Sequence, residues 1–140
     1  MKTLPRWLLL LLIWLMPVAV RAELVVVVSV DSPIKTLSQE QVSRIFLRKK
    51  TTLPGNLLPE PVDLPKGDLR DAFYNDFAGM NRARISAYWA QRVFTGAAQP
   101  PLQTESVEAA LSQIAASKNL IGYADKSQLK PSLRAVILKP

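Results

Sequence analysis

The sequence contains no cysteine and no histidine. Without cysteine, disulfide bonds are excluded whatever compartment the protein occupies. The two absences together exclude zinc sites built on Cys and His, and catalysis by Ser-His-Asp or Cys-His groups. Carboxylates, lysines, tyrosines and hydroxyls are left for chemistry, so we expect a protein that is not an enzyme and needs no cofactor or metal.

Long apolar runs are also missing, except for one at the start of the chain. Residues 7–20 form a 14-residue apolar stretch after two basic residues, and an Ala-x-Ala-like pattern then precedes Glu23. As a helix this stretch would span about 21 Å, which is short of the roughly 30 Å hydrocarbon core of a bilayer. We therefore predict that residues 1–22 are a cleaved signal peptide and that the protein works in the periplasm. An uncleaved anchor is the alternative.

The length of 118 residues after the predicted signal limits the possible architecture. They suffice for one domain with one modest core, at residues 23–140. Their net charge is +4, against +7 for the whole chain. That excess is too small and too dispersed for a nucleic-acid binder. No later segment is long or apolar enough for membrane insertion after signal cleavage.

The order of predicted elements indicates an α/β domain. A β-branched run at residues 24–30 predicts a strand buried on both faces, which suggests a parallel sheet covered by helices. Further strands are predicted at residues 61–63, 120–124 and 133–138. A first helix starts at Ser38 and closes with the basic residues 48–50, and others are predicted over residues 69–78, 82–94 and 105–117.

Capping and periodicity define two of these helices in detail. In the first, Ser38 and Gln41 form a capping box. Its apolar face carries Val42, Ile45 and Phe46. The helix over residues 82–94 follows Asn81 as its cap, and its predicted buried stripe is formed by Ile85, Trp89 and Val93.

Two groups of basic residues allow a functional interpretation. Residues 48–50 could contact anionic lipid or an acidic partner, but three charges are typical of a solvated helix end. Arg84, Tyr88 and Arg92 share one side of their helix and could form a recognition face. The alternative, a solvated arginine row behind a core Trp89, fits the periodicity better.

Four motifs in order resemble a known family. They include Leu37-Ser38-x-x-Gln41-Val42-x-x-Ile45-Phe46-Leu47 and the late strand Leu120-Ile121-Gly122-Tyr123-Ala124. These resemble segments of the phosphate-binding components of bacterial ABC transporters, which are type 2 periplasmic binding proteins. Tyr88-Trp89, Phe94-Thr95-Gly96 and Pro100-Pro101 are similar to short stand-alone relatives. The resemblance implies an α/β fold forming a single three-layer-like lobe of this family, and a non-catalytic, phosphate-transport-like solute-binding protein.

The resemblance and the helix pattern place a tentative anion site at the start of the second helix. Free N–H groups and the positive dipole end favour an anion there. The site would comprise Lys66, Gly67, Asp68, Leu69 and Arg70. Asp68 is predicted to cap those N–H groups and to repel an incoming phosphate, whereas Lys66 and Arg70 could hold an anion from the flanks.

The chain departs from the family at this loop. Aligned on Gly67, the positions that carry Arg, Asp, Ser and Thr in the family carry Leu64, Lys66, Asp68 and Arg70 here. A small phosphate-like anion is therefore one predicted partner. A periplasmic protein is the other, bound by a ligand-less interaction module with an exposed apolar patch. A carboxylate pair of Asp63 and Asp68 is the nearest approach to acid–base chemistry, and an enzyme is the most distant alternative.

Overall fold

A computed structural model describes residues 23–140, and the predicted signal peptide lies outside the described residues. Within this range the chain alternates strands and helices. The strands are β1 (Leu24–Ser29), β2 (Thr36–Ser38), β3 (Glu60–Asp63), β4 (Leu102–Gln103), β5 (Leu120–Asp125), β6 (Leu133–Ala135) and β7 (Ile137–Lys139). The helices are α1 (Gln39–Phe46), α2 (Asp68–Ala78), α3 (Arg82–Phe94) and α4 (Val107–Ala116).

The main sheet is mixed, with the strand order β4-β3-β5-β1-β6. Strand β1 is antiparallel to both of its neighbours, and Val26 pairs with Tyr123 of β5. Strand β3 is parallel to β4 and β5. The α/β class is confirmed, but the parallel pairing predicted for β1 is wrong. Consecutive buried valines indicate that both faces of the strand are buried. An antiparallel strand covered on both faces shows the same pattern as a parallel one.

The predicted strand over residues 133–138 is two strands in two sheets. Strand β6 pairs with β1 in the main sheet, whereas β7 pairs in parallel with β2 in a separate two-stranded sheet. Val136 lies between them, is buried, and donates its N–H to the carbonyl of Val26 at 2.8 Å. The chain therefore changes sheets at Val136 while staying bonded to β1.

Helix α1 has the predicted start and the predicted buried face. The Ser38 hydroxyl accepts from the N–H of Gln41 at 3.1 Å, and the Gln41 side chain accepts from the N–H of Ser38 at 2.8 Å. Val42, Ile45 and Phe46 are buried. Both features depend on residues within one helical turn of each other, which explains why the sequence predicts them.

The basic residues 48–50 lie beyond the end of α1, which corrects their predicted place in its last turn. Helix α1 ends at Phe46, and Arg48 has a positive φ of 55°. The Arg48 guanidinium donates to both carboxylate oxygens of Glu60, at 3.0 and 2.5 Å. This bond lowers the pKa of Glu60. Arg48 thus joins the segment after α1 to the start of β3.

Two helix starts differ from the prediction. Helix α2 starts at Asp68, with Gly67 as an N-cap that makes no side-chain hydrogen bond, so Asp68 is not the cap. Helix α4 starts after Ser106, whose hydroxyl accepts from the N–H of Ala109. Helix α3 has the predicted bounds and the predicted cap, but Val93 is 43% exposed and does not join the buried stripe.

The core beneath the sheet contains an aromatic cluster that fixes α2. The Phe73 ring stacks on Tyr123 with centroids 3.9 Å apart. Phe46 meets the same Phe73 edge-on at 4.6 Å. One residue of the cluster thus comes from α1, one from α2 and one from β5. These contacts hold α2 against α1 and β5.

Candidate binding site at the start of the second helix

A buried carboxylate organises the end of β3. Asp63 is 2% exposed and accepts hydrogen bonds from four groups. The hydroxyl of Tyr123 donates to Oδ1 at 2.5 Å, and the N–H of Leu64 donates to the same oxygen at 2.9 Å. Oδ2 accepts from the Tyr74 hydroxyl at 2.9 Å and from Arg70 Nε at 3.1 Å. The cost of burying this charge is therefore offset by its donors.

The two tyrosines act as neutral donors. Burial is the largest cause that raises the pKa of Tyr74 and of Tyr123 far above the ordinary value of 10.0, and the Asp63 charge raises both further. Asp63 thus has a structural role.

Asp68 lies on the exposed surface at the start of α2 and does not border the cavity that Asp63 faces. The two carboxylates do not form the pair that acid–base chemistry would need.

Arg70 connects this buried network to the surface. Its side chain is 11% exposed, and its Cζ lies 4.9 Å from the centroid of the Tyr74 ring. Nε binds Asp63, whereas neither Nη atom makes a hydrogen bond with any residue in the described range. The Nε edge and one face of the guanidinium are thus held in place, and its outer N–H groups stay available at the edge of a cavity.

The first turn of α2 offers unpaired backbone donors. The N–H groups of Asp68, Leu69 and Arg70 make no hydrogen bond within residues 23–140. Asp71 is the first residue of the helix whose N–H is bonded, to the carbonyl of Gly67 at 3.0 Å. Gly67 has no side chain that could cap these groups, and the Asp68 side chain does not do so. The positive end of the helix dipole is therefore uncapped.

The charges near this turn are nearly balanced. Arg70 is paired with Asp63, and Asp71 is paired with Arg82 at 2.6 Å. The Arg82 hydrogen bond lowers the pKa of Asp71. Lys66 and Asp68 form no ion pair within the described range, so one positive and one negative charge remain. Asp68 thus opposes an anion through its charge and not as a cap.

A cavity of about 570 Å³ opens beside Arg70, between α3 and the ends of β3 and β4. Lys66 and Arg70 border it, and its other walls are mostly apolar. Those walls include Ile85, Trp89, Val93, Phe94, Pro100 and Pro101. Val93 is exposed because it faces this open cavity and not the core.

The structure divides the five predicted site residues between two surfaces. Lys66 and Arg70 border the cavity beside α3, whereas Asp68 and Leu69 border another of about 530 Å³ that also includes Val107. Gly67 lies between them in the chain and borders neither. Leu64, which stands where the resembled family carries an arginine, is 1% exposed.

Two side chains of the predicted recognition face on α3, Tyr88 and Arg92, form hydrogen bonds within the protein. The Tyr88 hydroxyl donates to the carbonyl of Leu47 at 2.7 Å, and Arg92 Nη2 donates to the carbonyl of Arg48 at 3.4 Å. The expected core position of Trp89 is confirmed, since it is 7% exposed. These contacts tie α3 to the segment that follows α1. The prediction missed Phe94, which is 92% exposed at the end of the helix.

Metal and membrane features can be stated for residues 23–140. In that range no three side chains of the His, Cys, Asp and Glu types come together as a metal site. None of the helices there has the length and apolarity that crossing a bilayer requires.

Solved structures with a similar fold are substrate-binding proteins. An ABC-type phosphate transport receptor from Vibrio cholerae matches with a TM-score of 0.63 and 14% identity. A candidate phosphate ABC transporter substrate-binding protein from Clostridium perfringens, solved with bound phosphate, matches with a TM-score of 0.63 and 19% identity. A candidate phosphate-binding protein from Planctomyces limnophilus matches with a TM-score of 0.59 and 12% identity.

These similarities establish the fold. The matches cover 84% of this chain but only 46%, 45% and 42% of the Vibrio, Clostridium and Planctomyces proteins. The chain thus has the mixed α/β fold of these phosphate-binding and phosphate-transport proteins over less than half of their length. No family model and no curated protein sequence matches the chain.

Proposed function

We propose that this chain is a non-catalytic, periplasmic solute-binding protein that holds a small phosphate-like anion weakly at the start of α2. The observation that carries the proposal is the uncapped first turn, where three N–H groups are unpaired beside Lys66 and Arg70. A helix start of this kind attracts anions through its N–H groups and its dipole. The similar proteins from Clostridium and Vibrio, described by their phosphate ligand and phosphate transport, support the choice of anion.

Binding should be weak because the charges nearly cancel. Asp63 already offsets Arg70, and Asp68 carries a negative side chain on the same residue as the first of the donor N–H groups. One helix start without a closing second surface also leaves much of the ligand in water. We therefore expect dissociation constants in the millimolar range, near the weak end of specific binding.

An NMR titration tests the proposal. Phosphate, sulfate and acetate should each shift the backbone amide signals of Asp68, Leu69 and Arg70 in a saturable way. Lys66→Gln should weaken binding, whereas Lys118→Gln, which removes the same charge from another exposed loop, should not. If none of the three anions shifts these amides at millimolar concentration, the anion site does not exist.

A second candidate function has its own supporting observation. Phe94 is 92% exposed, and Leu102, on the edge strand β4, is 65% exposed. Exposed apolar patches mark sites of protein contact. Under this alternative the chain is a ligand-less interaction module for a periplasmic protein. A photo-crosslinking residue at position 94 should then capture one defined protein in cells, while the same residue at Leu58, which is 76% exposed, should not.

A further inference from the structure

The cavity beside Arg70 has a polar and an apolar lining. The polar lining consists of Lys66 and Arg70, with Asp63, Ser86 and Gln103. The larger apolar lining consists of aromatic and aliphatic side chains of α3 and the Pro100-Pro101 segment. A fully polar anion would use the polar lining alone, and against the apolar lining it would lose water without gaining hydrogen bonds. The walls therefore match a ligand that is only partly polar.

We infer that, among small anions, this site prefers an amphiphilic monoanion, a carboxylate joined to an aromatic or branched apolar body. The inference rests on the anion site proposed above and names its ligand class. The carboxylate would lie at Lys66 and Arg70, whose planar guanidinium suits two-point contact with a carboxylate. The body would lie against Trp89 and Phe94. A single negative charge also fits the one positive charge at Lys66 that no partner offsets within the described residues.

Size and rigidity support this class. A volume of about 570 Å³ lies within the roughly 300–1,000 Å³ range of small-molecule sites. Ile85 and Trp89 are almost fully buried, so one wall is part of the core and is held in place. The guanidinium of Arg70 is held by Asp63 and by the Tyr74 ring. A ligand would thus meet preformed groups and would not need to order them first.

Trp89 gives a direct readout of the cavity. It is the one tryptophan in residues 23–140, so a chain that starts at Glu23 has a single fluorophore of this kind. Phenylacetate, acetate, phosphate and phenethyl alcohol would be titrated by Trp89 fluorescence and by calorimetry. We expect phenylacetate to bind at least about tenfold more tightly than either acetate or the alcohol, because it alone uses both the polar and the apolar lining of the cavity.

Two pairs of variants test the place of binding. Ala90 is exposed and borders the cavity, so Ala90→Phe should fill it and weaken phenylacetate binding at least about tenfold. Ala87→Phe, also exposed on α3 but outside the cavity wall, is its control. Phe94→Ser should also weaken phenylacetate binding, and Leu58→Ser is its control. None of these four exposed positions is part of the core, so all four variants should fold.

The outcomes separate this inference from the anion site. If acetate and phosphate shift the α2 amides but phenylacetate binds no more tightly, the anion site stands and the amphiphilic ligand is wrong. If phenethyl alcohol binds as well as phenylacetate, the cavity takes apolar molecules without using its charges, and the inference is again wrong. If no anion binds at all, both fail.

Discussion

Asp63 is the residue on which the site depends, because four donors converge on one buried carboxylate. Its partners come from β5, from α2 and from the loop between β3 and α2. A carboxylate inside the core normally costs several kcal/mol, and charged hydrogen bonds recover about 1.5–3 kcal/mol each. The same network fixes Arg70, the positive side chain offered to a ligand. At the scale of single residues, stability and the binding geometry thus have a common origin.

The tyrosine donors predict a loss of stability in alkali. A folded-state pKa raised above the unfolded value of about 10 stabilises the fold below pH 10, and this contribution declines as the pH rises above that value. The free energy of unfolding, measured in urea, should therefore be markedly lower above pH 10 than at neutral pH. Tyr74→Phe should reduce the size of that drop while lowering stability at neutral pH. A tyrosinate absorbance titration of folded protein with ordinary pKa values for all three tyrosines would contradict this.

Substitution of Asp68 gives a sharp test of the anion site. Asp68→Ser removes the one unpaired negative charge at the start of α2, so we expect anion binding to strengthen by a few-fold. The variant should lose at most about 1 kcal/mol of stability, since Asp68 interacts favourably with the helix dipole. Calorimetry with phosphate measures the first effect and urea unfolding the second. Asp76→Ser, which removes a charge near the other end of α2, should leave binding unchanged.

At the scale of elements, α3 both closes the core and forms a cavity wall. Ile85 and Trp89 face inward, and Tyr88 and Arg92 bond to the segment after α1. Its last turn, with Val93 and Phe94, faces the cavity and solvent. One helix therefore contributes to stability through its inward side chains and offers binding surface on the side that borders the cavity.

Removal of Trp89 should be costly for this reason. Trp89→Ala deletes a large buried aromatic side chain, which typically costs about 3–5 kcal/mol. We expect the lower end of this range, because the side chain borders an existing cavity and its buried Nε1 has no hydrogen-bond partner within the described residues. Urea unfolding measures the change. A loss below about 1 kcal/mol would show that Trp89 is not part of the core.

The elements that could be predicted are those set by local sequence. The capping box of α1 and the Asn81 cap each depend on residues within one turn. The antiparallel direction of β1 depends on residues almost 100 positions away in β5. Strands β2 and β4 have three and two residues, too few for a periodic pattern.

The candidate site was predictable in part for the same reason. Residues 66–70 could be found because a glycine turn before an apolar helix is a local signal. The Asp63 network could not, because its donors stand 1, 7, 11 and 60 positions from the acceptor. Tyr123 stands in the late strand motif, but nothing local indicates that its hydroxyl meets Asp63. Phe94 gives no signal either, since an apolar residue at a helix end is usually buried.

At the scale of the whole molecule, the described residues 23–140 form one continuous hydrophobic core. The five strands of the main sheet and four helices lie in this range. The net charge of residues 23–140 is +4, so their surface is mildly basic. Removal of a signal peptide would therefore leave every described element that positions the candidate site.

The predicted cleavage before Glu23 can be checked against this architecture. Strand β1 begins at Leu24, and the carbonyl of Glu23 accepts from the N–H of Lys126 at 2.8 Å. A cut before Glu23 leaves that bond and the whole strand intact, whereas a cut a few residues later would remove paired positions of a central strand. We therefore expect the intact mass of protein from the periplasm to correspond to a chain starting at Glu23. A membrane-bound species that retains residues 1–22 would show that this segment anchors the protein.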